Sequence, residues 1–126
     1  MIYVIDHKDS FTHNVVHQLS LFDKVECDDF SKVSTSKLNQ ASTIVFSPGP
    51  GSPKDYPLSS NIYKRYKGKK RIIGICLGFQ QILFSEGAKI IEQNKIYHGF
   101  QSEVIVNKSS KLFKDGQKFK VGRYHS

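Results

Sequence analysis

Short, fully apolar runs alternate through the first ninety residues with segments whose apolar positions recur at helical spacing. Ile2-Tyr3-Val4-Ile5 is a continuous apolar run stopped by Asp6, the pattern of a strand buried on both faces. From Ser10 the period changes. Phe11, Val15, Leu19 and Phe22 fall on one helix face, with Ser10 as candidate N-cap. Val25 and Cys27 predict a second strand, and residues 34–40 a short helical or irregular crossover. Ile44-Val45-Phe46, stopped by Ser47-Pro48, predicts the next buried strand. Residues 58–67 read as a helix, 72–75 as another strand, and 79–85 as a helix closed by Gly87. Such alternation predicts an α/β fold: a mostly parallel open sheet with helices on both faces. After Ala88 the runs become more polar. Residues 89–92, 103–106 and 119–121 read as a small antiparallel addition. No internal repeat or low-complexity linker breaks the pattern, so residues 1–126 read as one domain.

Composition narrows the function classes. No apolar run approaches the roughly 20 residues needed to span a bilayer, and the first ten residues lack a secretory signal's basic start. Cys27 and Cys76 are too few for a disulfide framework or a cysteine-based zinc site, so a cytoplasmic setting is expected and no metal or cofactor is implied. The net charge of +8 is uneven: residues 1–63 carry five Lys and seven acids, residues 64–126 fourteen Lys and Arg and four acids. Six of those fourteen lie in the run KRYKGKKR, residues 64–71. It could touch phosphates. It also fits a helix C-terminus whose cations complement the dipole, with Gly68 as a left-handed cap. No second basic-aromatic cluster accompanies it, and the second reading is preferred.

Gly74-Ile75-Cys76-Leu77-Gly78-Phe79-Gln80 places a thiol where a buried strand stops and a helix begins. There the sulfur faces unpaired N–H groups and the positive end of the helix dipole, a setting that favours thiolate. The N–H of Leu77 points where an oxyanion would form. Gly74 and Gly78 permit a sharp turn and close helix–strand packing. The spacing equally allows Cys76 to be a small buried core residue. Cys27 has no such setting and reads as structural. Ser47-Pro48-Gly49-Pro50-Gly51-Ser52-Pro53 leaves another strand's carboxyl end, where open parallel sheets place ligands. It is either a rigid turn or a loop presenting backbone amides. At Gly51, taken as an exposed position, a methyl is expected to harm turnover more than stability unless the residue has positive φ.

Together these segments resemble class I, triad-type glutamine amidotransferases, in particular the glutaminase component of anthranilate synthase or 4-amino-4-deoxychorismate synthase. Asp6-His7-Lys8-Asp9-Ser10-Phe11-Thr12-His13-Asn14 resembles that family's first strand-to-helix turn, residues 47–51 its oxyanion loop, and residues 74–80 its nucleophile motif. His98-Gly99 and Arg123-Tyr124-His125-Ser126 also fall where the family has similar stretches. The resemblance implies a flavodoxin-like sheet of glutamine amidotransferase type. It implies that Cys76 attacks the side-chain amide of L-glutamine, that Gly51 and Leu77 amides hold the oxyanion, and that Gly49, Pro50, Gly51, Gln80 and Ser126 bind the substrate. Ammonia would pass to a chorismate-using synthase subunit, forming a hetero-oligomer, with residues 10–14 near that partner. Neither membrane nor nucleic acid is an expected partner.

Two positions depart from the family. Position 79 is commonly His; Phe79 is expected as a packing change behind the nucleophile. The family's general base is a His followed two residues later by Glu, and none of His7, His13, His17, His98 and His125 has that neighbour. His98, beside Gly99, reads as a turn residue. The missing base predicts a C-terminally incomplete domain, with a non-catalytic, partner-binding homologue as the alternative. In either case Cys76 is expected at the carboxyl end of a central strand.

Overall fold

The computed structural model describes residues 1–125, with the side chain of His125 left out. Residue contacts gather into two compact units, one from Met1 to Ile90 and a second from Ile91 onward.

In the first unit, strands β1 (Ile2–Asp6), β2 (Val25–Asp29), β3 (Thr43–Phe46) and β4 (Arg71–Gly74) form one sheet in the order β2-β1-β3-β4. Every pairing is parallel. Between them run α1 (Thr12–Ser20), α2 (Thr35–Gln40) and α3 (Pro57–Tyr66), and α4 (Leu77–Ser85) follows β4. Alternation along the strands divides the core into two layers. Tyr3, Ile5, Ile44 and Phe46 pack with Leu38 of α2 and with Ile62, Tyr63 and Tyr66 of α3, and Ile82 of α4 joins them. On the opposite face Ile2, Val4 and Val45 meet Val15, Val16 and Leu19 of α1. The sheet is open, mostly parallel and covered by helices on both faces, as the sequence predicts.

Chain order places β2 on one side of β1 and β3 on the other. The carboxyl ends of β1 and β3 therefore flank the point where strand order reverses, the usual ligand position in such sheets. Three segments emerge at this end: residues 7–11, residues 47–52, and the turn from β4 into α4. β4 is the edge of the four described strands rather than a central one.

Helix ends differ from expectation where side chains supply local bonds. α1 begins after Phe11 because Asp9 Oδ1 accepts the Phe11 N–H at 2.8 Å and the Asp9 carbonyl accepts the Thr12 N–H at 3.1 Å. Ser10 is not the cap. Phe11 and Phe22 fall outside the helix and are exposed. α3 ends as read: Lys64 and Arg65 lie in its last turn, and Gly68 has φ +74°. Lys67 pairs with Glu86, and Lys70 Nζ donates to the Asn39 carbonyl at 2.8 Å and to the Ala41 carbonyl. Gly87 closes α4 with φ +91°, and the Ala88 N–H reaches back to the Leu83 carbonyl at 3.0 Å.

The second unit is an antiparallel pair, β5 (Tyr97–Ile105) and β6 (Lys118–His125). No strand forms at 89–92, where Ile90 and Ile91 are adjacent and followed by Glu-Gln-Asn, so no alternating face exists. His98-Gly99 is not a turn either. Gly99, with φ +76°, forms an irregularity in the register between His98 and Phe100. His98 is exposed, with its ring edge-to-face with Tyr124 at 5.3 Å. The Arg123 guanidinium lies 3.6 Å from the Tyr97 ring centroid and donates to Gln93 Oε1 at 3.0 Å.

Candidate active site

Cys76 is the N-cap of α4, two residues beyond β4, with φ +55° and ψ −111°. For a residue with a Cβ this conformation costs on the order of 1–3 kcal/mol and persists only where its surroundings impose it. The Ile75 N–H donates to the Phe46 carbonyl at 3.0 Å, the Gly78 N–H to the Ile75 carbonyl at 3.0 Å, and the Gln80 N–H to the Cys76 carbonyl at 3.1 Å. The flanking glycines are steric requirements. A Cβ on Gly74 would lie 2.4 Å from the Gly78 carbonyl oxygen, and one on Gly78 would lie 2.1 Å from the Phe46 carbonyl oxygen. Cys76 is exposed, so the buried-core reading does not hold. The turn is a strained strand-to-helix elbow that presents a thiol.

The loop after β3 lies against that elbow. A Cβ on Gly49 would lie 2.6 Å from Leu77 Cδ2 and 2.5 Å from His7 Cβ, so this loop backbone is wedged between the two side chains. Leu77 is buried beneath it. Downstream, Ser52 and Asp55 form a capping box at the start of a 3-10 turn, Pro53–Asp55. The Ser52 N–H donates to Asp55 Oδ2 at 2.8 Å. Tyr56 Oη donates to the Pro50 carbonyl at 2.8 Å. Gly51 has φ +74°, and a Cβ there would lie 2.6 Å from Asp55 Oδ2. A methyl at Gly51 therefore meets both backbone strain and a carboxylate, the positive-φ case in which a stability cost is expected.

Beneath the loop sits His7, with no exposed surface. Its backbone N–H donates to Ser47 Oγ at 2.9 Å, and its Nε2 pairs with Ser59 Oγ at 2.8 Å. Burial holds the imidazole below its ordinary value and so favours the neutral ring. A lone histidine after an apolar strand has no sequence signature, and Ser59 lies 52 residues away. The Ser52-x-x-Asp55 box, by contrast, was readable.

The remaining predicted residues fall as follows. Gln80 is half-buried in the first turn of α4. Gln81, next to it, is fully buried; its Nε2 donates to Ser60 Oγ at 2.5 Å, and its Oε1 has no hydrogen-bond partner among the described residues. Phe79 is 55% exposed rather than packed behind the nucleophile, because Leu77, Gly78 and Gln81 form the inward face of α4. On β2, desolvation and then the carboxylates of Asp6 and Asp28 push the Cys27 thiol up to about 11. Ser126 lies outside the described residues. Among those residues no helix is long and apolar enough to cross a membrane.

Comparison with known proteins agrees with this geometry. The family model for class-I glutamine amidotransferase matches residues 3–126. Anthranilate synthase component 2 of Lactococcus lactis is 37% identical over 130 residues, covering 100% of this chain and 65% of that protein. The protein of the same name from Pyropia yezoensis is 37% identical over 131 residues, covering 100% of this chain and 68% of its own. This chain thus spans about two thirds of the length of these relatives. In fold it is similar to a crystal structure of a GMP-synthase-subunit-A-type protein from Thermoplasma acidophilum. The TM-score is 0.77 at 23% identity, over 98% of this chain and 63% of that one. With an elbow cysteine, a glycine loop wedged against its helix and a family match along nearly the whole sequence, the chain belongs to the class-I glutamine amidotransferases.

Proposed function

We propose that this chain supplies the glutaminase function of a chorismate-using synthase. Cys76 Sγ attacks the side-chain carbonyl carbon of L-glutamine. The Gly51 and Leu77 N–H groups hold the resulting oxyanion, and the intermediate collapses to a γ-glutamyl thioester with loss of ammonia. Water then cleaves the thioester to glutamate. Gly49, Pro50, Gln80 and Ser126 hold the substrate. The proton transfers are assigned to no residue of the described chain. Ammonia passes to a partner subunit that aminates chorismate, giving anthranilate on the route to tryptophan or 4-amino-4-deoxychorismate on the route to folate. The setting is cytoplasmic.

One observation carries this reading: the strained Cys76 elbow beside the 47–51 loop, in a chain of this family. The names of its relatives support the synthase partner. The test uses the assembled complex. Cys76→Ser abolishes glutamine-dependent amination while added ammonia still supports it. Loss of both activities would make Cys76 a folding or assembly residue. Unchanged glutamine use would leave the chain as a partner-binding subunit without catalysis.

A further inference from the structure

We propose that His7 is a positioning residue of this site: its backbone N–H and its buried ring hold the 47–51 loop where the Gly51 amide meets the substrate oxygen. The proposal rests on the glutaminase reading and extends it to a residue that no motif assigns a role.

Two lines of contact run from His7 into the loop. The first is polar. Ser47 Oγ accepts the His7 backbone N–H at 2.9 Å, lies 3.4 Å from Nδ1, and donates to the Pro48 carbonyl at 2.7 Å. With the neutral ring protonated on Nδ1, Ser59 Oγ donates to Nε2, Nδ1–H faces Ser47 Oγ, and Ser47 passes the chain on to Pro48. One tautomer satisfies every member, and the chain ends on the loop. The second line is steric. The imidazole lies edge-to-face with Tyr56 at 4.7 Å and stacks on Phe30 at 6.0 Å, while Tyr56 Oη holds the Pro50 carbonyl at 2.8 Å. Gly49 between them rests on His7 Cβ.

A purely apolar ring would fill the Phe30–Tyr56 cage without the cost of burying two ring nitrogens. What imidazole adds is the bond to Ser59 and the contact with Ser47. Geometry at this loop matters because a displacement of about 1 Å can cost about a hundredfold in rate.

The test uses the full chain at about pH 9, where free thiols are substantially ionised without a base. Two thiol probes are compared. 6-Diazo-5-oxo-L-norleucine presents a ketone oxygen where the glutamine amide oxygen would sit; methyl methanethiosulfonate reports sulfur access alone. We expect His7→Phe to lower the limiting rate of Cys76 labelling by the diazoketone at least about tenfold. The methanethiosulfonate rate should stay unchanged. His7→Asn, which keeps a polar atom beside Ser47, should recover most of the loss. If a thermal melt shows that His7→Phe does not fold, Ser47→Ala is read in the same way. An unchanged limiting rate, or parallel slowing of both probes, overturns the proposal. If the unaltered chain shows no glutamine-protected labelling of Cys76, the glutaminase reading itself fails and this proposal falls with it.

Discussion

Gly51 carries two constraints at once: a backbone at φ +74° and a carboxylate oxygen 2.6 Å from where a Cβ would stand. Gly51→Ala should therefore cost about 1–2 kcal/mol from the conformation alone, with a further loss if Asp55 is displaced from its box. Asp55→Ala removes the clash and leaves φ unchanged. The double variant should then be less destabilised than the sum of the singles, a coupling that denaturant titration of all three reads directly. Strict additivity would mean that the loop gives way without touching Asp55. His7 makes a prediction in pH. Its native value is lowered by burial, whereas the unfolded chain takes up the proton near the ordinary 6.5. Below that value the unfolded state holds the extra proton. The contribution of neutral His7 is therefore complete above about pH 6.5 and is lost as pH falls toward the native value. Urea midpoints from pH 7.5 to 5 should drop more for the unaltered chain than for His7→Asn. Equal slopes would show that the ring titrates normally. Neither residue's constraint was legible in sequence. Positive φ at Gly51 depends on the turn that follows, and the environment of His7 is assembled from Phe30, Tyr56 and Ser59, all distant from it in the chain.

At the level of elements, the junction of β3 with α4 decides whether the elbow exists. Gly78 brings the first turn of α4 against the Phe46 carbonyl, and a Cβ would lie 2.1 Å from that oxygen. Backbone cannot retreat as a flexible side chain can. Gly78→Ala should cost at least about 2 kcal/mol, in the upper range of overpacking penalties, and thermal melting should show it. A substitution tolerated within about 0.5 kcal/mol, the range of an indifferent surface site, would mean that α4 lies farther from the sheet. Elements with one dominant signal were readable. Ile2–Ile5 and Ile44–Phe46 are apolar on both faces, and Gly87 marks the end of α4. Boundaries set by local polar bonds were not, as at Asp9, whose bonds start α1 one residue after the apolar pattern does. The edge position of β4 also escaped the sequence, because periodicity describes a strand and not its neighbours.

Across the molecule, part of the basic run is engaged by local partners rather than left as a free cationic patch. Lys67 and Lys70 of the basic run are tied to Glu86 and to backbone carbonyls beside α2, as expected of a helix terminus. The proposed chemistry lies instead where strand order reverses, with residues from the ends of β1 and β3 and the turn after β4. The central claim is that Cys76 forms a γ-glutamyl thioester. The most direct measurement is mass spectrometry of the full chain quenched in acid during incubation with L-glutamine, followed by peptide mapping. The account predicts a γ-glutamyl increment on the peptide containing Cys76 and none on the peptide containing Cys27, whose thiol is held up at about 11. It also predicts that Cys76→Ser removes the acid-stable, hydroxylamine-labile adduct. No adduct at any incubation time, or an adduct on Cys27, would contradict it.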